Sequence, residues 1–165
     1  MAFNVDTLIT DRTAKDVERW QTLRDKGYAK MTTAERLQWN GTALKLKGVY
    51  NYTDLNRVGN ALNYLHDRLK EANYITHQTT FIAKTNWARG DIPTRAEFTH
   101  YLKCVSFVRE AMTQFATTPP TPTDTGRLNY EEANNIEKIL LDVETLINNM
   151  LAARVYCNDV FAGEL

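Results

Sequence analysis

Few of the residue types that carry chemistry stand at spacings that would let them act together. The three histidines, His66, His77 and His100, lie far apart, and none forms the H-E-x-x-H pairing that places two imidazoles on one helix face for zinc. Each is expected at the surface or a boundary. Cys104 and Cys157 have neither metal-type spacing nor a dense disulfide framework around them, so they read as ordinary buried or half-buried thiols made in a reducing compartment. The carboxylates of the C-terminal third, Glu131-Glu132, Glu137, Asp142 and Glu144, fit a solvated helix face, the first pair also favoured near a helix N-terminus. Arg57, Arg68 and Lys70 share the polar side of one helical stretch and could bind an anion, but a solvated face explains them better. There is no G-x-S-x-G elbow, no G-x-x-x-x-G-K-[ST] loop and no G-x-G-x-x-G turn. The expectation is a chain with no catalytic residues, no cofactor and no metal ligand set.

The aromatic content is more suggestive. Three Trp and eight Tyr in 165 residues exceed what a compact core hides easily, and such rings are enriched at the buried centres of protein contacts. Trp20, Trp39, Tyr52, Trp87, Tyr130, Tyr156 and Phe161 are the candidate interface residues.

The elements that must position these residues are helices. Leu55, Val58, Leu62, Leu65 and Leu69 repeat in steps of three and four behind a Thr53-Asp54 capping signal. Thr94 and Glu97 form a capping box that opens a second stripe, Phe98, Tyr101, Val105, Val108, Met112 and Phe115, which must stop before the prolines of 117–126. Asn129 with Glu132 opens the third: Ala133, Ile136, Leu140, Val143, Ile147 and Met150. Two shorter helices precede them, one opened by Thr13 with Asp16 and stopped at Gly27, one opened by Thr32 with Glu35 and stopped at Gly41. Three long stripes cannot remain in water, so they face each other or the helices of other subunits. The fold class is therefore all-α. A single helical domain over 1–165 is expected, with short helices in 1–48, two long helices in 53–116, a Pro/Thr linker at 117–126, a long helix over 129–153 and a tail at 154–165. Residues 74–92 lack helical period and read as a long ordered connection with room for a short strand.

Tyr52-Thr-Asp-Leu-Asn-Arg-Val58 and its following leucines line up with Tyr130-Glu-Glu-Ala-Asn-Asn-Ile136 at a constant offset of 78 residues. Two related helical units would produce this echo, and so would the general likeness of amphipathic helices. Twenty basic and twenty acidic residues cancel, which argues against nucleic acid as a general partner. Residues 1–48 hold nine Lys/Arg against six Asp/Glu, while 127–165 hold three against seven; opposite signs at the two ends could help subunits associate head to tail, and chance scatter over two solvated faces explains them at least as well. The first residues lack the pattern of a signal peptide, and no apolar run reaches the ~20 residues of a bilayer span, so neither general secretion nor a membrane is expected.

At Tyr52–Val58 and again at Asn134-Asn-Ile-Glu-Lys-Ile-Leu140 the chain resembles phage and prophage proteins of Gram-positive bacteria encoded among tail genes. Thr10-Asp-Arg-Thr13, Met31-Thr-Thr-Ala-Glu35, the stretch from Trp87 to Pro93-Thr94 and Phe161-Ala-Gly-Glu164 extend the likeness in the same order. The resemblance implies a structural component of the virion, in the tail, baseplate or fibre-attachment region, made in the host cytoplasm and acting as a homo-oligomer among other virion proteins. The alternative is a small phage-encoded protein that sequesters a host defence nucleotide or inhibits a host protein, with Arg57, Arg68 or Arg95 beside an aromatic gripping a phosphate.

Overall fold

The computed structural model describes residues 3–40, 46–75, 81–123 and 128–161, with side chains described as far as 153. Five α-helices and two one-turn 3-10 helices make up its regular structure, and no strand occurs among the described residues. The fold is all-α. The helices are α1 (Ala14–Lys26), α2 (Thr33–Trp39), α3 (Tyr52–Glu71), α4 (Arg95–Glu110) and α5 (Tyr130–Phe161).

The caps explain where the helices start. Thr13 with Asp16, Thr32 with Glu35 and Thr94 with Glu97 form reciprocal capping boxes. Asn129 exchanges the same two bonds with Glu132. At α3 the cap lies two residues earlier than the Thr53-Asp54 signal suggested. The Asn51 side chain accepts from the Thr53 amide, and Asp54 returns to the Asn51 amide, so Asp54 serves as the third residue of the helix. Gly27 ends α1 with a φ of 74°, a conformation that favours glycine; Gly41 lies outside the described residues.

Two boundaries differ from the sequence expectation. α4 stops at Glu110, short of Met112 and Phe115, because the Gln114 amide donates to the carbonyls of Arg109 and Met112 and replaces the next turn's donors. Phe115 is consequently off the helix and exposed. α5 continues helical past 153 to Phe161, taking in most of what composition marked as a tail.

The three stripes close on one another within a single chain. Leu62, Leu65, Leu69, Val105, Val108, Ile136, Leu140, Val143 and Ile147 are all fully buried in one cluster with Trp87 and Phe81. The three long helices run parallel. Arg57 pairs with Glu137 and Arg68 with Asn148, which aligns α3 with α5. Tyr50 meets Tyr101 and His66 meets Phe107, which aligns α3 with α4. Parallel neighbours need return connections, and the chain supplies extended ones. Residues 81–94 descend along α3. There the Asn63 amide clamps both backbone groups of Ala83, and the Asn56 amide clamps both backbone groups of Trp87. These side-chain clamps replace the sheet partner that an extended segment would otherwise need.

An N-terminal arm, residues 3–13, descends α5 in the same manner. Asn134 clamps both backbone groups of Arg12. Asn134 is the counterpart of Asn56 at the offset of 78, so the echo in sequence marks a repeated device: an Asn-capped helix whose next Asn holds an extended strap. Each strap docks on the helix of the other half of the chain.

Glu35 and Glu97 are both held down to about 2, Glu35 chiefly by the Lys26 ammonium and Glu97 chiefly by the Thr94 amide. A carboxylate with a depressed folded pKa contributes stability that is present above its ordinary value of 4.5 and is lost as pH falls through the folded value. Acidification from pH 5 toward pH 2 is therefore expected to fray the starts of α2 and α4. Hydrogen exchange followed by NMR would show it, and first-turn amides of both helices unchanged at pH 2.5 would refute it.

Candidate functional site

At the end of the bundle where α3, α4 and α5 begin, four charged side chains meet, Arg12, Asp54 and Glu137 buried and Arg57 partly so. Arg12 from the arm and Arg57 from α3 face Asp54 from α3 and Glu137 from α5. Glu137 is 0% exposed. Its Oε1 accepts from Arg12 Nη2 at 2.6 Å and Arg57 Nη2 at 2.8 Å, while its Oε2 accepts from Arg57 Nε at 3.1 Å and the Ile9 amide at 2.6 Å. Asp54 accepts from Arg12 at 3.1 Å and Arg57 at 2.5 Å. Burial alone would lower the Arg57 pKa, but the Glu137 hydrogen bond and the charges of Glu137 and Asp54 outweigh it and hold the guanidinium above its ordinary value. Two positive and two negative groups leave the quartet neutral, so it is a lock between arm, α3 and α5 and not an open anion site.

Tyr50 lies over the Arg12 guanidinium at 5.4 Å, and its hydroxyl meets that of Tyr101 at 2.5 Å. Burial, then the Glu137 charge, raises the Tyr50 pKa; burial, then Tyr50 itself, raises that of Tyr101. Both phenols stay protonated and neutral, as a closed electrostatic lock requires.

Above this floor opens a cleft of about 340 Å³. Tyr50, Tyr52, Leu55, Phe98, Leu128 and Tyr130 give it aromatic and apolar walls, and Arg12, Lys47 and Asp91 are its charged lining residues. Lys47 Nζ pairs with the exposed Asp11 at 2.5 Å. Tyr52 and Tyr130, first residues of α3 and α5 and related by the offset of 78, are thus brought to one site, both half-buried. Gly48 in its wall is obligatory, since a Cβ there would sit 2.1 Å from the Asp16 carbonyl oxygen.

The other aromatic candidates divide. Trp20 and Trp39 stack on each other with centroids 6.4 Å apart, half-buried on a shoulder made by α1 and α2, where Tyr28 and Leu37 are about half exposed. Trp87 is 5% exposed and belongs to the core, so it is a packing residue and not a surface for partners; Lys84 Nζ covers its ring at 3.8 Å. Tyr156 and Phe161 lie on the last turns of α5, where side chains are outside those described.

Several polar residues read as solvated from sequence are buried. Glu137, Asp142 and Glu144 are inside, Asp142 bound by Thr118 and Lys138, and Glu144 by Arg68 and Tyr64. Arg57 and Arg68 are committed to these carboxylates, which removes them as grips for a phosphate, and Arg95 also has partners. His66 is buried and stacked on Phe81 at 4.4 Å; His100 is exposed; His77 lies outside the described residues. A spacing signal was available: Glu137 and Glu144 each stand four residues after a stripe position, Ala133 and Leu140, so they flank the apolar seam.

His100 Nε2 lies 3.6 Å from Cys104 Sγ, the arrangement of a nucleophile and its base. Burial pushes the Cys104 thiol up to about 11, which keeps it a thiol and chemically quiet. Among the described residues no group of three or more His, Cys, Asp or Glu is placed to hold a metal ion, and no helix is long and apolar enough to cross a membrane. The class defined by this architecture is a parallel three-helix bundle strapped by extended segments, locked by a buried charge quartet beneath an aromatic cleft. Comparison with family models, curated proteins and solved structures finds no match.

Proposed function

We propose that this chain is a non-catalytic structural or adaptor component of a tailed-phage virion, in the tail, baseplate or fibre-attachment region, working through protein contacts with its own copies and with other virion proteins. The observation that carries the reading is the division of labour in the aromatics. The core is already complete within one chain, yet a stacked Trp20–Trp39 pair with Tyr28 and Leu37 remains half open on the α1–α2 shoulder. Rings left at a surface that the core does not need are the usual anchors of a protein interface. The ordered motif resemblance from Thr10 to Glu164 supplies the virion context.

Mass spectrometry of purified virions tests this. The expected result is the chain in stoichiometric copies with known tail proteins; absence from particles, with expression early in infection, would refute it. The cleft favours a second reading, a small binding protein, because its volume and aromatic walls suit a planar ligand. That reading expects a small molecule to be released when purified protein is denatured.

A further inference from the structure

The charges that line the cleft are not equally committed. Arg12 is neutralised within the quartet by Asp54 and Glu137, and Lys47 by Asp11. Asp91, the remaining charged residue of the lining, has no cation within ion-pair reach among the described residues. Its carboxylate is nonetheless fixed. Oδ2 accepts the Ala88 amide at 2.8 Å while the Asp91 amide donates to the Ala88 carbonyl at 3.1 Å, closing a turn in which Gly90 has a φ of 98°. The starts of α3 and α5 at this pole are answered from within by their own caps, Asn51 with Asp54 and Asn129 with Glu132. The charge left over in the lining is therefore negative.

The rings are also unequally committed. Arg12 already lies over Tyr50, but among the described residues no cation covers Tyr52, Phe98 or Tyr130, which are all half-buried. The Tyr130 hydroxyl donates to Glu131 at 3.1 Å, which leaves its ring richer in electron density. We propose that the cleft binds a small N-alkylated organic cation, a quaternary ammonium or an N-alkylated aromatic ring, its charge against these three rings and its counter-charge supplied by Asp91. The polar side chains of the lining decide for alkylation. Asn51 and Asn129 spend their carbonyl oxygens on the caps of α3 and α5, and Tyr50 spends its hydroxyl on Tyr101. A primary ammonium or a guanidinium would bring several N–H donors to side-chain acceptors that are already used, and unpaired donors are costly to bury. An alkylated cation has no N–H to satisfy and is held by ring faces. A volume of about 340 Å³ limits the ligand to one small cation.

This inference rests on the small-binding-protein reading above and fixes the charge of its ligand. Its test is calorimetric titration and amide NMR of the full chain with choline and 1-methylpyridinium, each beside its neutral isostere, 3,3-dimethylbutan-1-ol and toluene. At least one cation should bind saturably, about tenfold or more tighter than its isostere, with shifts centred on the cleft residues. Asp91→Asn keeps an acceptor for the Ala88 amide, so it should retain the fold, weaken the cation about tenfold and leave the isostere unchanged. Tyr130→Leu should weaken the cation severalfold with native helicity. Isosteres that bind as tightly as the cations, or an Asp91→Asn variant that binds the cation like wild type, would overturn the proposal while leaving the small-binding-protein reading in place. Saturable binding of none of the four compounds would overturn it too; the underlying reading falls only if denatured protein also releases no small molecule.

Discussion

Glu137→Ala is expected to destabilise the protein by about 3–5 kcal/mol, since it leaves the buried Arg12 and the partly buried Arg57 guanidiniums facing a single carboxylate and strips the Ile9 amide of its acceptor. For a chain of this size that corresponds to a fall in Tm of roughly 6–20 °C. The loss should fall first on the arm, which Glu137 holds through both Ile9 and Arg12, so hydrogen exchange at residues 9–12 should rise before exchange in the α3–α5 seam. Replacing the quartet as a unit, Arg12→Met, Asp54→Asn, Arg57→Met and Glu137→Leu together, should retain a higher Tm than the single variant. Removing both signs leaves no unpaired charge, and such replacements are commonly neutral or stabilising. A Tm within 2 °C of wild type for Glu137→Ala would show that water reaches the quartet.

The quartet also marks the limit of what could be read from residue order. Apolar periodicity located α3, α4 and α5 because burial of one face is a local pattern, and four of the five helix starts followed from caps that are local too. The spacing of Glu137 and Glu144 set them beside the apolar seam, but their partners were invisible for the opposite reason. Glu137 is 125 residues from Arg12 and 80 from Arg57, and only the parallel packing of α5 on α3 brings them together. Taken alone, each is a charged residue on an amphipathic helix, whose default place is water. The cleft was half visible: Tyr52 and Tyr130 stood out through their repeat, yet nothing local showed that both begin parallel helices at one pole. Trp87 was misplaced because its run has no helical period, and the Asn56 clamp that folds it inward lies 31 residues away.

The repeat supplies the second large effect. Position 59 of α3 corresponds to position 137 of α5, and the strap residue Lys84 corresponds to Ile9 of the arm, since Asn56 clamps Trp87 as Asn134 clamps Arg12. Where strap crosses helix, the two halves differ: α5 presents a carboxylate that accepts the Ile9 amide, whereas α3 presents Gly59 and lets the backbone itself approach. A Cβ on Gly59 would lie 2.4 Å from the Lys84 carbonyl oxygen, a contact with backbone that no rotamer relieves. Gly59→Ala gains about 1 kcal/mol of helix propensity in return. The strap must still move outward, and the clamps at Ala83 and Trp87 flank the point of contact, so both lengthen or break. Overpacking of about 1–3 kcal/mol plus the loss of one or both clamps outweighs the propensity gain, for a net loss of about 2–4 kcal/mol. Trp87 would then leave the core, and a red shift of its fluorescence together with faster exchange of the Ala83 and Trp87 amides is the expected signature. Gly59→Ala with native stability and unshifted fluorescence would mean that the strap does not lie against α3 at this point, and the correspondence between the two halves would fall with it.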